Sequence, residues 1–344
     1  MRTLQQLVRQ NILKYEGIDF IRTSSAISAP RIRLDANENP YNSPYNRYPD
    51  ECQQSLREVL ALTKGVGVQQ ICVTNGRDES IELLFRCFCQ PGIDNVVVTS
   101  PTYGMYRACA EINDIECRSV VLDDRFQVSA ERLLDNCDEH TKMILLCSPN
   151  EITGNLIKRE EVELLLDCFD GIVVVDETYV GYSKVRPFRN DIDHYGHLVT
   201  IDTLSVAMGC AAANIAMAYS NEEIVSVLNK VKFPHNVSEI AQNYVINVLR
   251  DPFEISKWVS IVRIERQRMM NAVSILPYCV KVYDSDANFF LARMVDAGDV
   301  YDYLLSNGIV VKNCTAVALC DNCLRITVGT RNENNELLAA LRQY

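Results

Sequence analysis

No stretch of this 344-residue chain reaches the roughly 18–20 consecutive apolar residues that a membrane-spanning helix needs. The closest candidate, residues 207–219, is interrupted by Asn214. The opening MRTLQQLVRQNILKYEG lacks the continuous apolar core of a secretory signal. An excess of positive charge is lacking as well. Thirty-four Lys+Arg against 45 Asp+Glu leave a net charge of −11, which disfavours nucleic acid or an anionic membrane surface as a partner. The 14 cysteines, scattered from Cys52 to Cys323, show no framework spacing and read as reduced thiols in a cytoplasmic protein. One CxxC pair, Cys320 and Cys323, has no second pair and no histidine cluster beside it. A buried-thiol role therefore outweighs a four-ligand zinc site. Internal repeats and low-complexity linkers are missing too.

What remains is globular composition, 48% hydrophobic and 23% charged, in a chain long enough for two cores. Short, nearly continuous apolar runs at 71–73, 96–99, 143–147, 172–175 and 198–201 are strand candidates. Such runs fit strands covered on both faces, as in a parallel sheet. Between them Ile81, Leu84, Phe85 and Phe88 fall at i, i+3, i+4, i+7, and Val162, Leu165, Leu166 and Phe169 repeat that spacing, so both segments are helical. Alternating strands and helices make an α/β domain, expected over residues 30–240. Strands at 287–294 and 323–328, with a helix at 300–306, suggest a smaller α+β domain formed by residues 1–29 and 241–344.

Ligands of open α/β sheets bind beyond the carboxyl ends of the strands. The residues just after each strand are polar and specific: Asn75-Gly76-Arg77-Asp78-Glu79, Pro101-Thr102-Tyr103, Ser148-Pro149-Asn150, Asp176-Glu177-Thr178-Tyr179 and Thr203-Leu204-Ser205. Gly76-Arg77-Asp78 opens the Ile81 helix and so offers amide donors to an anion.

Seven segments in collinear order carry a wider resemblance: LDANENPYNSPYNRYPD (34–50), NGRDES (75–80), SPTYGMY (100–106), CSPNEITGN (147–155), VVDETY (174–179), TLSVAMG (203–209) and CLRITVGTRNENNELLAAL (323–341). Together they resemble the fold-type I pyridoxal-phosphate aminotransferases, specifically the histidinol-phosphate aminotransferase family. That resemblance implies a large, mostly parallel-sheet α/β domain with a smaller α+β domain, pyridoxal 5'-phosphate as cofactor, and a homodimer. It implies that Asp176 matches the carboxylate beside the pyridine nitrogen, which keeps the ring an electron sink. Tyr103 matches the aromatic stacked on the ring, and Tyr179 the donor to its hydroxyl. Gly76, Arg77, Asp78, Thr203 and Ser205 match the phosphate cradle, with Tyr48 reaching it from the neighbouring subunit. Arg325 matches the clamp on the substrate's acidic end. The substrate implied is a small phosphorylated amino compound, exchanging its amino group with 2-oxoglutarate.

Four positions depart from the family. The Schiff-base lysine of Thr-Leu-Ser-Lys is Val206, which can neither hold the cofactor nor shuttle a proton. The arginine expected eight residues later is Asn214. The asparagine before Pro-Thr-Gly is Glu151, an acceptor only when ionised. A second clamp arginine is Lys312, which keeps the charge and loses the fork. Three readings stay open: an enzyme of the family, a non-catalytic homologue that binds a small anion or a partner, and an altered enzyme with His235 as surrogate base.

Overall fold

The computed structural model describes residues 2–16 and 32–344. Two short helices, α1 (Leu4–Leu7) and α2 (Gln10–Lys14), precede α3 (Gln54–Lys64). A seven-stranded sheet follows: β1 (Ile71–Thr74), β2 (Asn95–Ser100), β3 (Glu116–Val121), β4 (Thr141–Cys147), β5 (Ile172–Asp176), β6 (Leu198–Thr203) and β7 (Ala216–Tyr219). Its order is β1-β7-β6-β5-β4-β2-β3. The pairs from β6 through β3 are parallel, whereas β7 runs antiparallel to both β6 and β1.

The residues of β1, β4, β5, β6 and β7 are buried almost throughout, so the continuous apolar runs became strands sandwiched between helices. One apolar layer holds Val73, Val97, Ile144 and Val175, and the opposite layer Cys72, Val96, Leu145 and Val174. Helices α4 (Arg77–Phe88), α5 (Met105–Ile112), α6 (Ala130–Leu134) and α7 (Arg159–Cys168) connect the first strands. The stripes read from spacing, Ile81/Leu84/Phe85/Phe88 on α4 and Val162/Leu165/Leu166 on α7, are the buried faces.

After β7 come α8 (Glu222–Val231), α9 (Glu239–Leu249) and the 23-residue α10 (Pro252–Ser274). A second, four-stranded antiparallel sheet has the order β10-β11-β9-β8, with β8 (Cys279–Val282), β9 (Phe289–Met294), β10 (Lys312–Asn313) and β11 (Cys323–Thr327). Helices α10, α11 (Ala297–Ser306) and α12 (Arg331–Gln343) enclose its core around Phe290, Leu324 and Leu338. Among the described residues no helix is long and apolar enough to cross a membrane.

Four strands escape the sequence pattern, including the short β8 and β10 of the small sheet. Edge strand β3 buries Val120 alone, so it carries no apolar run. β7 is the end of the longer apolar segment at 207–219, of which only Ala216–Tyr219 pairs. The N-terminal helices also depart from expectation. Leu7 and Val8 pack in the core of the large sheet, and the Arg9 amide donates to Cys87 O at 2.9 Å, so the described part of this segment rests on the large sheet rather than the small one. Burial of two apolar side chains on an already apolar helix layer accounts for that choice. The remainder of the 1–29 expectation lies outside the described residues.

Candidate functional site

The strand-end residues gather where the fold predicts. Asp176 closes β5, Thr203 closes β6, and Asn75-Gly76 link β1 to α4. Gly76 must turn the chain at φ +83°, and a Cβ there would lie 2.5 Å from the Asn214 amide. No other residue type fits that turn without moving Asn214. Asn214, itself at φ +47°, donates to Asn75 Oδ1 at 3.2 Å and closes over the start of α4. Thr203 Oγ1 donates to Ile215 O at 3.1 Å and accepts from the Ser205 amide at 3.1 Å, which fixes the turn leading to Val206.

The centre of the cleft is a chain of alternating charges. Asp176 has no solvent exposure, yet both oxygens are saturated. Oδ1 accepts from the Thr178 amide at 3.1 Å and the Thr178 hydroxyl at 2.6 Å; Oδ2 accepts from the Tyr106 hydroxyl at 2.9 Å and Arg77 Nη1 at 3.4 Å. Arg77 Nη2 donates to Glu151 Oε2 at 3.2 Å. Glu151 also accepts from the Tyr179 hydroxyl at 2.5 Å and, through Oε1, from Arg325 Nη1 at 3.0 Å. Arg325 further donates to Glu151 O at 2.7 Å. Two arginines and two carboxylates thus neutralise one another in a nearly dry space.

The Arg77 guanidinium sits over Tyr103, its Cζ 3.4 Å from the ring centroid. Tyr103 donates its hydroxyl to Asp78 Oδ1 at 2.7 Å and meets Tyr106 edge-on at 5.8 Å. Burial opposes the charge on Arg77, but Asp176 and Glu151 outweigh it and hold the guanidinium above its ordinary pKa. Burial pushes the Tyr103 hydroxyl up to about 12. Burial, then the Glu151 charge and hydrogen bond, drives Tyr179 higher still, so its proton stays on and points at Glu151. A cation at the first residue of a helix opposes the helix dipole, so its place there depends on the two carboxylates.

Val206 sits half-buried against Tyr179, Ala287 and Phe289, and its carbonyl accepts from Tyr182 at 3.2 Å. Lys312 is exposed and directly opposite Arg325 in the β10–β11 register, so both point to one face of the small sheet. Tyr48 is exposed and stacks on His235 at 4.9 Å between ring centroids. His235 in turn meets Pro49 O through Nδ1 at 2.9 Å.

Sequence reasoning missed two participants. Tyr106, in the first turn of α5 just after Tyr103, was findable as the second tyrosine of the same motif. The Arg77 side chain was counted only for its backbone; the signal was Glu151, a second carboxylate needing a cation beside Asp176. As arranged, these residues do not fit a pyridoxal ring. The Tyr103 face carries a guanidinium, both Asp176 oxygens are taken, and the Tyr179 hydroxyl is spent on Glu151.

The sequence profile described as aminotransferase class I and II matches residues 22–341. The histidinol-phosphate aminotransferase of Bacteroides fragilis is 47% identical over 344 residues, covering all of both chains. That of Bacteroides thetaiotaomicron is 47% identical, covering all of this chain and 99% of its own. Among solved structures, histidinol-phosphate aminotransferase from Clostridium acetobutylicum superposes with a TM-score of 0.80 at 22% identity, over 87% of this chain and 90% of that one. The Sinorhizobium meliloti protein of the same name, in complex with pyridoxal-5'-phosphate, gives 0.79 at 22% identity, over 86% and 82%.

Proposed function

The chain belongs to the class I and II aminotransferases, with a fold-type I architecture and histidinol-phosphate aminotransferases as close relatives, and from that premise we propose that it is a non-catalytic, homodimeric member of the family. The observation that carries this reading is Val206, packed on Tyr179, Ala287 and Phe289 where the matched motif has its lysine. A valine offers neither an amine to bind an aldehyde nor a base to move a proton. His235 is no substitute: its ring is stacked on Tyr48 and bonded to the backbone of Pro49. The anion-binding elements left open are the α4 amides at Gly76-Arg77-Asp78, Ser205, and the exposed Lys312 opposite the Glu151-bound Arg325. They suit a small phosphorylated or carboxylate ligand held without covalent chemistry.

Self-association is supported by exposed apolar side chains on two segments, Leu34, Tyr41 and Leu62 on one and Tyr244, Phe253 and Ile264 on the other. All fourteen cysteines are free thiols, and Cys314, Cys320 and Cys323 are buried in the core, as suits a reducing cytoplasm. The test is an absorption spectrum of the purified protein with added pyridoxal phosphate, before and after borohydride, together with an assay on histidinol phosphate and 2-oxoglutarate. No trapped adduct and no turnover are expected. Turnover at an ordinary enzymatic rate, about 1–10³ per second, overturns the reading.

A further inference from the structure

We propose that the Arg77 guanidinium is a built-in ligand of the cleft, occupying in cis the place of a planar heteroaromatic cation, so that this chain excludes a pyridinium ring for a reason separate from its missing lysine. The inference rests on the assignment of this cleft as the family's cofactor site, and not on Val206.

A pocket for a protonated planar ring needs three things: an aromatic face at stacking distance, a carboxylate meeting the ring edge, and a second acceptor across from it. Arg77 uses all three. Its Cζ stands 3.4 Å above the Tyr103 centroid, Nη1 reaches Asp176 Oδ2 at 3.4 Å, and Nη2 reaches Glu151 Oε2 at 3.2 Å. A guanidinium is flat, delocalised and forked, the side chain nearest in shape and charge to a pyridinium or an amidinium. Its carboxylate partners are sheltered, Asp176 fully and Glu151 with 13% of its side chain exposed, so the pair cannot remain there without a cation between them. Glu151 gives Arg77 its second anchor and, by holding Arg325 and Tyr179 as well, ties the plug to the small sheet. The cleft is a cation site of planar specificity, satisfied by the chain's own side chain.

Removing the plug must therefore create a site for an external planar cation. The probe is pyridoxamine 5'-phosphate, which carries the ring but no aldehyde, so its binding does not depend on a lysine. Arg77→Ala is expected to bind it at least tenfold more tightly than the unaltered protein by fluorescence titration. Millimolar methylguanidinium should compete and should raise the melting temperature of Arg77→Ala but not of the unaltered chain. Equal affinity of the two proteins for the probe overturns the proposal, as does methylguanidinium that stabilises both alike. If Arg77→Ala does not fold, Arg77→Lys keeps a cation but loses the flat fork. It should show a smaller gain in probe binding, and no gain overturns the proposal. An unaltered protein that binds the probe tightly without turning over histidinol phosphate defeats the plug and leaves the non-catalytic reading intact. Turnover by the unaltered protein defeats that reading instead.

Discussion

Restoring the lysine alone should recover little, and the size of the shortfall follows from the surroundings of residue 206. Val206→Lys replaces an apolar contact with Tyr179 and Phe289 by an amine, while the Tyr179 hydroxyl beside it stays bonded to Glu151. The cofactor-facing contacts also remain altered. Asn214→Arg should regain a charge-assisted bond worth roughly 1.5–3 kcal/mol. Residue 214 sits at φ +47°, where arginine pays about 1 kcal/mol that asparagine largely avoids. Glu151→Asn frees the Tyr179 hydroxyl and removes one of the two carboxylates that anchor Arg77 over Tyr103, loosening that plug and contributing another ~1–3 kcal/mol. The net is about 1.5–5 kcal/mol, or roughly 10- to 4,000-fold in retention at 1.4 kcal/mol per decade. The assay is pyridoxal phosphate titration by absorbance with borohydride trapping, on Val206→Lys and on the triple variant. A single variant that turns over at about 1–10³ per second, or a triple variant no better than the single, refutes the reasoning.

Three further outcomes are expected. Burial pushes Glu177 up to about 7, although it accepts bonds from the Phe188 and Arg189 amides. The folded state then keeps a proton that the unfolded chain has lost above its ordinary 4.5. Stability falls as pH rises from about 4.5 to 7, by roughly 3 kcal/mol; Glu177→Gln should flatten that part of a denaturant-midpoint profile, and an unchanged slope would count against it. Tyr106→Phe leaves Asp176 Oδ2 one donor short in a fully buried site and should cost about 1.5–3 kcal/mol in urea unfolding, a loss below ~0.5 kcal/mol being inconsistent with the network. Sedimentation at micromolar concentration should show a dimer that Phe253→Asp with Ile264→Asp on α10 shifts to monomer; a monomeric unaltered chain defeats the homodimer proposal.

Much of the architecture was legible because central strands and covered helices leave patterns in one dimension. The run at residues 172–175 sits in the centre of the sheet, and the α4 stripe faces its apolar layer. Strand β3 was not legible because an edge strand buries little, and its register comes from pairing with β2 rather than from its own residues. Helices α1 and α2, of four and five residues, are shorter than any window in which periodicity can be read. The strand-end rule found Asp176, Thr203 and the Gly76 turn, because topology alone places them together. The direction of a long side chain does not follow from topology. Arg77 is 26 residues from Tyr103, 74 from Glu151 and 99 from Asp176, and only the closed fold decides which of these its guanidinium meets.

The altered positions become coherent once buried charge is considered. Asp176 lies at the end of a central strand with no water to solvate it. An uncompensated carboxylate there costs several kcal/mol, so its charge needs a cation from some source. In a family whose ring nitrogen meets this carboxylate, that cation arrives with the cofactor, and stability and cofactor binding are coupled by mass action. Here Arg77 meets the need from within the chain, and Glu151 balances the charge Arg77 brings, with Arg325 balancing Glu151. The buried charge of Asp176 is thus balanced within the chain, without a bound group. Tyr103, Tyr106, Asp176 and Tyr179 each hold a member of this network, so that removing any one weakens the balance of charge in the cleft.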